Sequence, residues 1–387
     1  MKRWGLPSCL LLAVCLGGGP LAAQAAAPPA PRVLTLGFVG DLMMHSLNRD
    51  VADYRDLYRD VEELLRDDDL TFANLEFPLD PGRQYSDFPR FNGTPAYLQA
   101  AVDAGIEAFS LANNHAFDGD EEGVLQTLRS IDRAGRNAGR TLHRAGTRAN
   151  PALPFATAKI EANGARIAFL AATQFLNTQG GRERIAVVDY RDLEEADAFA
   201  ALVSAESRAA DVVVVSYHCG VEYSSAPLPG LDAFLDRLAF CGATVVYGHH
   251  PHVLKAPRFV HAGASRRLVL PSMGNFISGQ AEFLDPVSGE GAVAAGTGDG
   301  ALVRARIACG PGWSTVIGVE AVPLAVYWSG RRELVIGRLA TLAEPAAGAS
   351  SPAMAAWGTY FRGRLGGLTR LLAGVVTSAG PAASPPR

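Results

Sequence analysis

Between Val33 and about residue 280 the chain alternates between two hydrophobic patterns. Short apolar runs rich in β-branched residues read as buried strands: "VLTLGFV", "LTFANL", "EAFSLA", "RIAFLAA", "DVVVVSY", "ATVVYG" and "RLVLPSMG". Between most of them lie amphipathic stretches with a helical period: "VADYRDLYRDVEELLRD", "PAYLQAAVDAG", "EEGVLQTLRSI", "DLEEADAFAALVSAES" and "LPGLDAFLDRLAFCG". Strand and helix in alternation predict a layered α/β domain with a largely parallel sheet. "AKIEANGARIAFL" predicts a hairpin turning at Asn163-Gly164, which makes the sheet mixed.

After Gly279 the pattern changes. "GEGAVAAGTGDG" is loop-like, and "ALVRARIAC", "TVIGVEAVPLAVYW" and "ELVIGRLATL" read as further strands. The expected organisation is one domain over residues 31–285, a β extension of it over 286–341, and an Ala-, Gly- and Pro-rich tail over 342–387. In that tail "MAAWGTYFRGRLGGLTRLLAGVV" can form a short helix, and "SAGPAASPPR" is expected to be disordered.

The N-terminus adds a destination. Lys2 and Arg3 precede an apolar stretch from Cys9 to Leu16, followed by "GPLAAQAAAPPAP" with Ala23-Gln24-Ala25 as a cleavage site. This order predicts a secretory signal over residues 1–25 and an exported protein, periplasmic or extracellular, or membrane-anchored if the signal is retained. Cys219, Cys241 and Cys309 remain outside it, too few and too widely spaced for a disulfide framework. A net charge of -4 over 387 residues carries no global signature of nucleic-acid binding, and no nucleic-acid partner is expected.

The candidate chemistry sits where the strands end. Gly40-Asp41 follows the first strand, and Asn74 and Glu76 follow the second. Asn113, Asn114 and His115 follow the third, and His218 follows "DVVVVSY". His249, His250 and His252 follow "ATVVYG", and Asn275 follows "LVLPSMG". In a parallel α/β sheet the C-terminal strand ends share one edge, where ligands bind. Imidazole and carboxylate suit Zn, Mn or Fe, and a carboxylate can bridge two ions roughly 4 Å apart that acidify a bound water.

Six stretches, "VGDLMMHS", "NLEFPL", "SLANNHAFD", "YHCGVEY", "GHHPHV" and "SMGNFIS", resemble in order the motifs of CapA-type proteins of bacterial capsule and poly-γ-glutamate synthesis. That family resembles the calcineurin-like metallophosphoesterases. The resemblance implies a four-layer α/β/β/α sandwich with a mixed, largely parallel sheet. It also implies a site for two divalent ions, and a role with an anionic envelope polymer or its precursor, beside membrane-bound synthesis proteins. By the same resemblance Asp41, Glu76, Asn114, His218, His250 and His252 bind metal, with Glu76 as the bridging acid. His115 protonates a leaving group or binds the substrate oxyanion. Asn74, Asn113, Glu222, His249 and Asn275 touch the ligands or the substrate.

The chain departs from the pattern in two places. Met43 stands where the phosphoesterases carry the His of Asp-x-His, and His45 is the candidate replacement. Cys219 stands where the family usually has Trp; burial as a packing residue is the favoured reading over a soft metal ligand. Arg129, Arg133, Arg136, Arg140, Arg144 and Arg148 recur at helical spacing, either as a solvated face or as a track for a polycarboxylate. The expected function is metal-dependent hydrolysis or transfer at a phosphoester or γ-glutamyl amide of an envelope polymer. The alternative is a non-catalytic polymer-binding accessory. A cytoplasmic nucleotide phosphatase conflicts with the signal sequence.

Overall fold

The computed structural model describes Met1 and residues 31–280, 294–328, 333–344 and 352–377. The predicted signal segment and the "SAGPAASPPR" tail lie outside the described residues. In chain order the strands are β1 (Arg32–Leu42), β2 (Leu70–Leu75), β3 (Ile106–Ser110), β4 (His143–Ala145), β5 (Ala158–Ala162), β6 (Ala165–Thr173) and β7 (Val212–His218). They continue with β8 (Val245–His249), β9 (Arg258–Ala262), β10 (Ser265–Leu270), β11 (Asn275–Ile277), β12 (Asp299–Gly310), β13 (Trp313–Trp328) and β14 (Leu334–Arg338).

Among the described residues these strands form two mixed sheets. The first runs β14-β13-β12-β1-β2-β3-β4, with β11 also paired to β1, and the second runs β5-β6-β7-β8-β10-β9. β1 to β4 pair in parallel, as do β6, β7, β8 and β10, while the outer members pair antiparallel. The β-branched runs form central strands because both faces are covered: every residue of β7 is buried.

The sheets face each other across an aromatic seam. Phe38 and Phe72 from the first meet Phe169 and Tyr247 from the second, with ring centroids 5.0 to 6.5 Å apart. Helices Pro95–Ala104 and Asp120–Ala138 bury Tyr97, Leu98, Val124, Leu128 and Ile131 in the core of the first sheet. Helices Leu193–Ala209 and Pro229–Phe240 cover the outer face of the second with Phe199, Val203, Phe234 and Leu238. Helix, sheet, sheet and helix make a four-layer sandwich.

Three local expectations change. "VADYRDLYRDVEELLRD" is not one helix but a 3-10 turn, Tyr54–Tyr58, and one α-turn, Glu62–Leu65. A tertiary donor takes a carbonyl that would propagate it: the Arg304 guanidinium holds Leu64 O at 2.6 Å. The arginine series does not share a helix, because Gly139 ends helix Asp120–Ala138 in the left-handed conformation (φ 64°). Arg144 then lies in β4 paired with Asp132, and Arg148 stacks over Phe155. The stretch near the C-terminus forms a 21-residue helix, Pro352–Leu372, packed on β13 and tied by Arg364 to the buried Asp299.

Candidate metal centre

Strand register assembles the site. Across the first sheet Asn275, Asp41, Asn74 and Ser110 stand opposite one another in a single row. Across the second, Thr173, His218 and His249 form the matching row. A parallel sheet aligns the C-terminal ends of its strands, so residues far apart in sequence reach the same edge. Gly40 makes the first row possible: a Cβ there would stand 2.0 Å from Gly274 O, so only glycine lets β11 close on β1.

The two rows meet. Asn74 Nδ2 donates to Asp41 Oδ1 at 2.8 Å and to Glu76 Oε2 at 3.1 Å, and lies 3.4 Å from His218 Nδ1. His249 Nδ1 is 2.8 Å from Asp41 Oδ1, and His252 Nδ1 is 3.2 Å from Asp41 Oδ2. His218 Nε2 is 2.8 Å from Asn114 Oδ1 and 3.5 Å from Glu76 Oε1. Asn113 holds Asn74 and the carbonyl of Leu75 with its amide, and Asn275 Oδ1 lies 3.1 Å from His252 Nδ1. All of these side chains are buried.

The histidine loop is held in conformations that L-residues avoid. His250 has φ 94°, His252 φ 55° and the neighbouring Tyr223 φ 60°. Such positions cost of order 1–3 kcal/mol each and persist where surroundings over-determine them. Here Met273 N–H to Gly248 O, Cys219 N–H to His249 O and Tyr223 N–H to Pro251 O pin the loop at 2.8 to 3.0 Å.

Three overlapping groups place ligand atoms within 4.8 Å of one another: Glu76, His218 and His250; Asp41, Glu76 and His252; Glu222, His250 and His252. Glu222 is the exposed member. Glu76 Oε1 and His250 Nδ1 are buried without a hydrogen-bond partner. A buried acceptor left unpaired costs about 1–3 kcal/mol, and a cation would satisfy both atoms. The residues therefore fit a divalent metal.

Electrostatics agrees. Burial, reinforced by the nearby Asp41 charge, pushes Glu76 well above the usual carboxyl range. Against its own burial, Asp41 is held well below that range by His249 and His252. Burial and neighbouring imidazoles lower His218 far below neutrality, and burial with His252 takes His250 to about 3. Neutral imidazoles are the form that ligates metal.

His115 and His45 lie outside the three groups. His115 Nδ1 is 2.7 Å from Asp118 Oδ2, and its Nε2 is 3.3 Å from Asn177 Nδ2. His45 Nδ1 accepts the N–H of Gly279 at 3.1 Å. Cys219 is fully buried in the apolar cluster behind the second sheet, where burial pushes its thiol well up.

Asp118, Asn177 and Phe175 also reach the site. Asp118 is legible in sequence, three positions after His115 inside "NNHAFD". Asn177, and Phe175 with its ring 5.0 Å from His250, come from the loop after β6, a strand end that carries no charged group to flag it.

Facing mixed sheets with an acid–imidazole cluster at their shared strand ends define the class of this protein. The family model described as bacterial capsule synthesis protein PGA_cap matches residues 35–280, and the chain belongs to that family. It is 29% identical over 259 residues to "PGA biosynthesis protein CapA" of Bacillus subtilis (strain 168), covering 64% of each chain. It is 27% identical over 277 residues to "Capsule biosynthesis protein CapA" of Bacillus anthracis, covering 64% of this chain and 60% of that one. The match thus spans just under two thirds of the length of these relatives. "Probable polyglutamine synthesis accessory protein MT0602" of Mycobacterium tuberculosis (strain CDC 1551 / Oshkosh) matches at 26% identity over 48% of this chain and 50% of its own. Among solved structures, the calcineurin-like phosphoesterase YfkN from Bacillus subtilis overlaps with a TM-score of 0.40 and 13% identity over 88% of this chain and 99% of that one. That likeness is too loose to bear on the site.

Proposed function

We propose that this protein is an exported, metal-dependent hydrolase or transferase acting on an anionic envelope polymer of the capsule or poly-γ-glutamate type. The observation that carries it is the buried cluster of Asp41, Glu76, His218, His250 and His252 with Glu76 Oε1 and His250 Nδ1 orphaned. Export rests on the order of the N-terminal segment, and the polymer on the family and the names of its Bacillus members. Among the described residues no helix is long and apolar enough to cross a membrane.

Asp41, Glu76, Asn114, His218, His250 and His252 would hold the cation. Glu76 belongs to two of the ligand groups, which supports two ions sharing it. A divalent ion here supplies Lewis-acid polarisation of a substrate oxygen and a more acidic water. Asn74 orients both carboxylates, and Asn113 orients Asn74. Asp118 fixes the His115 ring, and Nε2 is the atom of His115 left to exchange a proton with substrate.

The mycobacterial relative's name favours a second reading, a non-catalytic accessory that binds polymer beside membrane-bound synthesis proteins. Elemental analysis followed by assay on poly-γ-glutamate and a generic phosphodiester separates the two. Turnover by Mn- or Zn-loaded protein, abolished by His115→Ala, supports the enzyme. Polymer binding that survives His115→Ala with no turnover selects the accessory.

A further inference from the structure

Arg267 of β10 is a half-buried cation without an acid. Burial lowers its guanidinium below the usual arginine range, and no carboxylate offsets that loss. Among the described residues its one hydrogen-bond partner is Ser314 Oγ, which accepts from Nη1 at 2.8 Å. Nε is buried without a partner. Nε and Nη2 share one edge of the planar group, the edge with which Arg49, Arg55, Arg166 and Arg191 grip Asp50, Asp53, Asp211 and Asp189. On Arg267 that edge has no acceptor.

Ser314 brings a second unmet donor. Thr244 Oγ1 accepts the Val213 N–H at 3.1 Å and lies 2.7 Å from Ser314 Oγ, and both residues are buried. Two hydroxyls share that one contact, so one of their two hydrogens has no acceptor among the described residues. When Thr244 donates, the spare hydrogen belongs to Ser314. Arg267 and Ser314 line one cavity of about 70 Å³, together with Ser207, Asp211, Gly242 and Trp313. Asp211 adds little negative charge there, because Arg166 at 2.8 Å and Arg32 at 3.5 Å already neutralise it. Two guanidiniums on one carboxylate leave a positive surplus, and Arg267 increases it.

We propose that this cavity binds a small tetrahedral oxyanion, phosphate or sulfate, held by the Arg267 guanidinium and the Ser314 hydroxyl. The unmet groups are donors, and such an ion accepts on every oxygen; a planar carboxylate matches the guanidinium but brings no third oxygen to Ser314. The ion fastens the two sheets together. β10 and β13 already meet one residue away, where Arg266 donates to Thr315 Oγ1 at 2.9 Å and to Val316 O at 2.8 Å. The site is separate from the metal centre and independent of the proposed function. Val213 stands near the start of β7 and His218 at its end, and seven residues of strand span roughly 20 Å.

The test uses the full chain stripped with a chelator, so that no metal ion holds the probe. The melting temperature should rise with inorganic phosphate or sulfate and level off as the cavity fills, and chloride at matched ionic strength should not reproduce the rise. Titration calorimetry should give one ion per chain, with Arg267→Met weakening binding about 10- to 100-fold and His250→Ala binding as wild type does. No saturable response in wild type, or an equal response to chloride, overturns the site. Loss of binding in His250→Ala puts the ion at the histidine cluster and overturns it too. If Arg267 serves only the nearby helix ends, Arg267→Met lowers the melting temperature and leaves the phosphate response intact, which also overturns it. Acetate binding as tightly as sulfate rejects the tetrahedral ion. Should Arg267→Met fail to fold, Arg267→Lys keeps the charge and loses the planar edge: weakened binding supports the site and wild-type binding overturns it.

Discussion

Asp118 Oδ2 lies 2.7 Å from His115 Nδ1 and is the same oxygen that accepts the Phe91 N–H. One buried carboxylate oxygen thus serves a candidate proton carrier and a loop backbone together. Asp118→Ala should leave the Phe91 N–H unpaired in the interior and cost about 1–3 kcal/mol in urea unfolding. It should also release His115 to the other tautomer and lower turnover about 10- to 100-fold at unchanged metal content. Asp118→Asn, with its oxygen in the same place, should keep both hydrogen bonds and the tautomer. Equal unfolding midpoints for wild type and the Ala variant would refute this role.

His250 belongs to two of the ligand groups, and its backbone sits at φ 94°. His250→Ala should lose most of the bound Zn or Mn, read by elemental analysis of dialysed protein. Stripping metal from wild type with a chelator should lower the melting temperature, by about 3 kcal/mol of stability if metal had been at a hundred times its Kd. His250→Ala should show no such response. Full metal occupancy in the variant would count against the assignment.

Gly40→Ala should fold poorly, because the new Cβ would press on Gly274 O, a backbone atom that cannot rotate away. Separating β1 from β11 also separates Asp41 from Asn275, so metal affinity should fall with stability. The expected loss is about 3 kcal/mol, read from denaturant midpoints. A variant with wild-type midpoint and metal content would disprove the close approach.

Asp68 gives a pH signature away from the site. Burial raises its carboxyl to about 7, although Thr71 Oγ1 donates to it at 2.8 Å. The folded state therefore holds a proton that the unfolded chain has already released between about pH 4 and 7. Stability from this group is full below about pH 4 and is lost as pH rises toward 7. Asp68→Asn should remove that loss, gaining on the order of 2 kcal/mol at pH 8 and little at pH 4. The measurement is the difference in melting temperature between variant and wild type across that range, and a flat difference would reject it.

Much of the architecture was legible because its cause is local. A run such as "DVVVVSY" is apolar on both faces, so it forms a central strand, and β7 is buried along its whole length. Asn163-Gly164 turns the β5–β6 hairpin because the chain there needs left-handed residues, φ 46° and 73°. The stretch from Tyr54 to Leu65 failed the same logic, since its helical period was real but Arg304, some 240 positions away, claims a carbonyl the helix needed.

The sequence by itself determined which groups stand at strand ends, because a strand's period and the polar residue that follows it are properties of neighbours in the chain. Only the tertiary structure decided how those groups share protons and space. Asn114 meets His218 across 104 positions and His252 meets Asp41 across 211, and Gly279 reaches His45 across 234. Hydrogen bonding acts over about 3 Å, so a tautomer or an orphaned oxygen is fixed by whichever atom the fold brings that close.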